Sequence, residues 1–128
     1  MKKSVLFVLF FVISLICKAQ NTTFCAETVE GDRKMKFFDG GWNKKKDAYV
    51  MYPGSIKIKL KFIKYTADER EGLATNWNVY YNEIINGKVT GTYTLFESYS
   101  GHHNVYYKNA KSGKEFFFME ISKDNKCW

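Results

Sequence analysis

The first twenty residues limit what this chain can become more than any later stretch. Lys2 and Lys3 form a short basic region, Val5 to Ile16 run apolar with Ser14 as the single interruption, and Cys17-Lys18-Ala19 closes on a small residue. That order is the order of a secretory signal. The apolar run is too short for a bilayer core of about 30 Å, which takes about 20 residues. The segment therefore reads as a signal peptide spanning 1–19 that is removed, leaving a domain of residues 20–128 in a secreted or periplasmic location. The rival reading is lipid attachment at Cys17, because Leu15-Ile16-Cys17 resembles a bacterial lipoprotein cleavage site. Ile16 is bulky where such sites carry a small residue, and Lys18 suits outer-membrane retention poorly.

Residues 20–128 suffice for one domain and not two. The formal charge of +7 falls to +4 when Lys2, Lys3 and Lys18 leave with the signal. Much of the basicity thus belongs to targeting, and the rest favours solubility and loose attraction to anionic surfaces. No later segment is long or apolar enough to be transmembrane, and none is low-complexity.

Cleavage also changes the meaning of the cysteines. Cys17 is lost, and Cys25 and Cys127 remain near the two ends of the domain. In an oxidising compartment two remaining cysteines pair. A bridge closing a loop of about 100 residues stabilises by about 4–5 kcal/mol in the chain-entropy model, comparable to the net stability of a small domain. Pairing also removes the free thiol that cysteine catalysis requires.

The remaining pattern is one of strands and turns. Ile56, Ile58, Leu60 and Phe62 alternate with Lys57, Lys59 and Lys61, a period of two with one apolar and one charged face. Ala48 to Tyr52 forms a short strand ahead of it, and Pro53-Gly54 is the turn between. Trp77 to Ile85 is aromatic and β-branched, and ends at Asn86-Gly87, a strong hairpin signal, with Lys88 to Ser98 as the return strand. Val105 to Lys108 and Glu115 to Ile121 flank the turn Lys111-Ser112-Gly113-Lys114. Lys34 to Phe38, closed by Asp39-Gly40-Gly41, is the first or second strand. The best helical candidate is Thr66 to Leu73, with Thr66 as cap and Asp68 and Glu69 near its start. The expectation is an all-β fold, a small antiparallel sandwich or barrel of about seven strands closed by one disulfide.

Adjacent aromatics fall on opposite faces in Tyr80-Tyr81, Tyr106-Tyr107 and Phe116-Phe117-Phe118. One face is core. The other is a second packing layer or a binding face, and this outward aromatic excess points to Tyr80 and Tyr106 as contact residues.

Signals for catalysis are weak. His102-His103 reads as part of a solvated loop, because neighbouring residues on an extended chain point apart and zinc catalysis takes three protein ligands. Ser100, His102 and a carboxylate make a triad on paper only, with no nucleophile elbow. Asp68, Glu69 and Glu71 cluster in one exposed turn, unlike a glycosidase pair. Glu97 and Glu120 lie in strands near aromatics, and edge-strand solubility explains both. The chain is read as no enzyme, with no cofactor and no metal ligands. The stripe Lys57, Lys59, Lys61 with Lys44-Lys45-Lys46 suits a polyanion, but Arg33 and Arg70 are the only arginines, which argues against nucleic acid. Lysines on one strand face also block edge-to-edge aggregation. Asn21-Thr22-Thr23 fits an N-glycosylation acceptor in a host with that pathway.

Phe24-Cys25, Cys127 and the Ser100-Gly101 loop resemble features of the small periplasmic lysozyme inhibitors of the membrane-bound or C-type class. These are β-barrels with bridged terminal cysteines and a Ser-Gly-x-x-Tyr loop. Tyr106 departs from that spacing, and residues 30–95 carry no matching pattern. The resemblance implies a protein that plugs an acidic enzyme cleft. The residues themselves imply a binding domain that contacts a protein or glycan through Tyr80, Tyr106 and the loop Ser100, Gly101, His102 and His103. The alternatives are an envelope-associated structural domain and, behind it, a hydrolase.

Overall fold

The computed structural model describes residues 23–38, 45–68, 75–122 and 127–128. They form eight strands: β1 (Thr23–Thr28), β2 (Lys34–Phe38), β3 (Ala48–Met51), β4 (Ile58–Asp68), β5 (Asn76–Ile85), β6 (Lys88–Glu97), β7 (His103–Asn109) and β8 (Glu115–Ser122). Each strand pairs antiparallel with the next, and β1 closes on β8, giving a closed barrel. Closure abolishes sheet edges, so the lysines of β4 and the carboxylates of Glu97 and Glu120 guard no edge. Lys59 and Lys61 are instead the exposed outer wall of β4.

Period-two alternation decides what fills the barrel. Inward positions carry Phe24 and Ala26, Met35 and Phe37, Ala48 and Val50, Leu60, Val79 and Tyr81, Tyr93 and Leu95, Val105, and Phe118, all buried. The register aligns them in lateral rows, one of which runs Tyr81, Tyr93, Tyr107, Phe116 around three neighbouring strand pairs. Phe24 stacks on Phe37 at 5.3 Å, so aromatic rings fill the middle of the lumen. Eight strands leave an interior just wide enough to be filled by side chains or to hold one small ligand. Here the middle is filled and a cavity remains at one end.

The turns follow from residue chemistry. Asn86 and Gly87 both take positive φ, 52° and 75°, the conformation of a two-residue turn whose twist matches the flanking strands. Cys25 and Cys127 are bonded, with Cα atoms 5.3 Å apart and a sequence separation of 102. The bridge lies on the outer side of β1 and brings Trp128 beside β2, where Lys36 sits 5.6 Å from its ring.

Several expectations change. β1 is a strand that alternation does not announce, because Phe24, Cys25 and Ala26 are apolar in succession. Its two flanks are covered differently, by lumen on one side and by the disulfide on the other. Ile56 is 84 % exposed and precedes β4, since Ser55 caps the turn by bonding the Tyr52 backbone. Thr66, Ala67 and Asp68 are not helical but continue β4 opposite Asn78, Trp77 and Asn76. Their partner strand outweighs the local capping signal. Residues 69–73 of that candidate lie outside the described residues, as do residues 1–22 with the signal segment, Cys17 and Asn21. Asp39-Gly40-Gly41 and Lys44 lie outside them too. No helix among the described residues is long and apolar enough to cross a membrane.

Candidate functional site

Four turns ring one end of the barrel: those after β1, β3, β5 and β7. Inside this hairpin end, Glu83 of β5 faces inward in phase with Val79 and Tyr81, yet it carries a carboxylate and is only 5 % exposed. Glutamate is almost never buried without partners, and Glu83 has three. Thr90 donates to its Oε1 at 2.7 Å, Tyr107 donates to Oε1 at 3.3 Å, and Tyr93 donates to Oε2 at 3.1 Å. Further bonds extend the array. Tyr52, just past β3, is hydrogen-bonded through its hydroxyl to that of Tyr93, and Asn109 Nδ2 donates to the Tyr107 hydroxyl at 3.1 Å.

Local backbone features make this convergence possible. A bulge between Glu83 and Ile84 shifts the β5–β6 register at the carboxylate. Gly91 pairs with Glu83, and a Cβ placed there would sit 2.5 Å from Tyr107 Cε2 and 2.8 Å from its hydroxyl. The missing side chain is thus the space through which the Tyr107 ring reaches Glu83.

The array borders a cavity of about 350 Å³ that opens between the turns, with Arg33 and Lys114 among its outer residues. The Arg33 guanidinium lies 4.2 Å above the Phe116 ring, which fixes the planar group at the mouth. Burial pushes the Tyr52 and Tyr93 phenols well above the ordinary tyrosine value, and the Glu83 charge raises both further. Tyr107 is raised in the same direction, first by burial. These hydroxyls are therefore held protonated, as hydrogen-bonding groups and not as phenolate nucleophiles.

The opposite end holds Ser100, Gly101, His102 and His103, the loop residues that the sequence singles out, but it does not keep them on one surface. Ser98 to His102 form a tight turn, with the Gly101 amide on the Ser98 carbonyl at 2.9 Å and the Ser100 and Ser98 hydroxyls 2.8 Å apart. His102 is exposed and its Nδ1 lies 3.3 Å from Glu120 Oε2. His103 is not in a solvated loop. It opens β7, faces the lumen at 4 % exposure, stacks on Phe24 at 4.4 Å, and places Nδ1 3.3 Å from Glu120 Oε1. Glu97 and Glu120 thus face the histidines, with Glu97 3.8 Å from His103 Nε2. Among the described residues no group of three or more His, Cys, Asp or Glu is placed to hold a metal ion.

Tyr80 and Tyr106 do share a surface. They lie in one outer row, Tyr80, Thr94, Tyr106, Phe117, across β5 to β8, and Lys64 sits 5.1 Å from the Tyr80 ring. Glu115 bonds the Tyr106 hydroxyl and raises its pKa. This wall is separate from both the loop and the hairpin-end cavity. Glu83, Tyr52, Tyr93 and Tyr107 were not singled out from the sequence. The signal for them was parity: a glutamate on the inward face of β5, and a glycine on the inward face of β6. Comparisons with family models, with characterised proteins and with solved structures yield no match to this chain.

Proposed function

We propose that this protein is an extracytoplasmic binding protein that takes a small polar ligand into the hairpin end of its barrel. One observation carries the reading: a buried carboxylate collects hydroxyl donors beside an open cavity of about 350 Å³. An apolar residue at position 83 would close the lumen at lower cost, because a buried charge must be desolvated and then fully bonded. Small-molecule sites favour barrel mouths, with mostly aromatic walls and a few convergent polar groups. The Cys25–Cys127 bridge and the leader-like residues 1–19 support an oxidising compartment outside the cytosol. Phenols that burial holds protonated serve as hydrogen-bonding groups, which supports binding.

A second reading, contact with a protein or glycan, rests on the outer wall. Phe117, paired with Tyr106, and Met119, paired with Asn104, are more than two-fifths exposed, and tyrosine-rich walls suit such contacts. In the loop before β7, Ser100 and His102 are on the surface, available to plug a cleft as a hydrolase inhibitor would. The test is amide and side-chain chemical-shift mapping of the labelled protein against a library of small polar metabolites. The pocket reading expects shifts concentrated at Glu83, Tyr93, Tyr107 and Asn109. Shifts confined to Tyr80, Tyr106 and Phe117, or none with any compound, would reject it in favour of the outer wall.

A further inference from the structure

The hydrogen bonds of the cavity have a forced direction, and that direction selects a ligand. A carboxylate only accepts, and a phenol has one proton to give. Tyr93 spends its proton on Glu83 Oε2, so the proton between Tyr52 and Tyr93 must come from Tyr52. The Tyr52 oxygen is then left with lone pairs alone. Tyr107 likewise gives its proton to Glu83 and receives one from Asn109. Tyr93 and Tyr107 give their protons to Glu83 and Tyr52 gives its proton to Tyr93, so the phenol oxygens that line the inner cavity face whatever enters as acceptors.

The mouth has the opposite character. Arg33 and Lys114 are cations and donors only. With one face of the guanidinium against Phe116, the in-plane N–H edge is the part left to a ligand. That edge matches a planar carboxylate with two parallel bonds better than it matches a point charge. The cavity, at about 350 Å³, sits at the low end of the roughly 300–1,000 Å³ range of small-molecule sites, so it takes one ring and not a chain of rings. Tyr52, Tyr107 and Phe116 supply flat apolar walls for that ring.

We propose that the ligand is a hydroxylated carboxylic acid of monosaccharide size, bound with hydroxyls inward on Tyr52 and Glu83 and its carboxylate outward on Arg33 and Lys114. This rests on the pocket reading above and adds the polarity of the occupant.

Titration calorimetry with four probes tests it: glucuronate, glucose, cyclohexanecarboxylate and glucosamine. Glucuronate should bind most tightly. Glucose lacks the carboxylate and cyclohexanecarboxylate lacks the hydroxyls, so each should be weaker by about tenfold or more. Glucosamine, cationic, should be weakest. Arg33→Gln, with Lys114 still present, should weaken glucuronate by several-fold toward the level of glucose and change glucose much less. Tyr52→Phe should weaken glucuronate and glucose alike and spare cyclohexanecarboxylate, with the far-ultraviolet spectrum of each variant showing that the barrel persists. Glucosamine binding tighter than glucuronate, or a ranking untouched by Arg33→Gln, overturns the proposed polarity. If all four fail to bind while another metabolite shifts the pocket resonances, the polarity falls and the pocket stands. If nothing shifts those resonances, both fall.

Discussion

Tyr93→Phe isolates the contribution of the buried array, because it removes one oxygen and leaves the ring. Tyr93 is 1 % exposed, so the ring packing of a phenylalanine there is unchanged. Two bonds disappear. The donor to Glu83 Oε2 is a bond to a charged group, about 1.5–3 kcal/mol. The acceptor for Tyr52 is a neutral bond of about 0.5–1.5 kcal/mol, and Tyr52 faces the cavity, where water can partly replace it. The expected loss is about 2–4 kcal/mol. For a domain of just over 100 residues a loss of 1 kcal/mol lowers Tm by about 4–5 °C, so Tm should fall by about 8–20 °C. Urea unfolding at neutral pH reads the effect as a lower midpoint with an unchanged slope. Tyr80→Phe on the outer wall is the control, expected within about 0.5 kcal/mol. Combining Tyr93→Phe with Glu83→Gln should show coupling of about 1 kcal/mol or more, since the two side chains share one bond. A Tyr93→Phe variant within about 0.5 kcal/mol of the parent, with no coupling to Glu83, would refute the argument that the array bears a buried charge.

Other outcomes follow from the same geometry. Because burial raises the Tyr52 and Tyr93 phenols, stability should be flat below the ordinary tyrosine pKa of about 10. Above it the unfolded chain releases those protons while the folded one retains them, and stability should fall by about 1.4 kcal/mol per pH unit for each tyrosine. Urea midpoints between about pH 9 and 11 should show this decline, with a shallower slope in Tyr93→Phe; a flat profile would contradict it. Gly91→Ala should push Tyr107 off Glu83 and cost about 1–3 kcal/mol, visible as displaced Tyr107 ring resonances, and an unmoved ring would show that the close approach is not needed. Reducing Cys25–Cys127 should lower stability by about 4–5 kcal/mol, measured by urea unfolding with and without dithiothreitol, and an unchanged midpoint would mean the barrel closes without help from the bridge.

What the sequence disclosed depended on how local the cause was. Alternation of Leu60 and Phe62 with lysines, the Asn86-Gly87 turn and the Ser112-Gly113 turn are encoded within a few residues, and strands lie at each of them, although β4 starts after Ile56 and runs on to Asp68. The bridge between Cys25 and Cys127 was legible by counting. Barrel closure was not, because it rests on β1 meeting β8, segments about ninety residues apart in the numbering, and β1 lacks the alternation that would have marked it. The cavity was less legible still. Glu83 comes from β5, Tyr93 from β6, Tyr107 from β7 and Tyr52 from the turn after β3, and only closure of the sheet brings them together. His103 shows the same gap in miniature. Its dipeptide suggests a solvated loop, yet it has the parity of Val105 and Tyr107, and that parity carries it inward onto Phe24.

The central claim, that the hairpin end of the barrel is a ligand site, is tested most directly by a crystal structure grown with the best-binding probe in excess. The account predicts a ring seated between Tyr52 and Phe116, hydroxyls against Tyr52 and Glu83, and an acidic group at Arg33 and Lys114. Water alone in that cavity, with the probe lying along Tyr80, Tyr106 and Phe117, would contradict it.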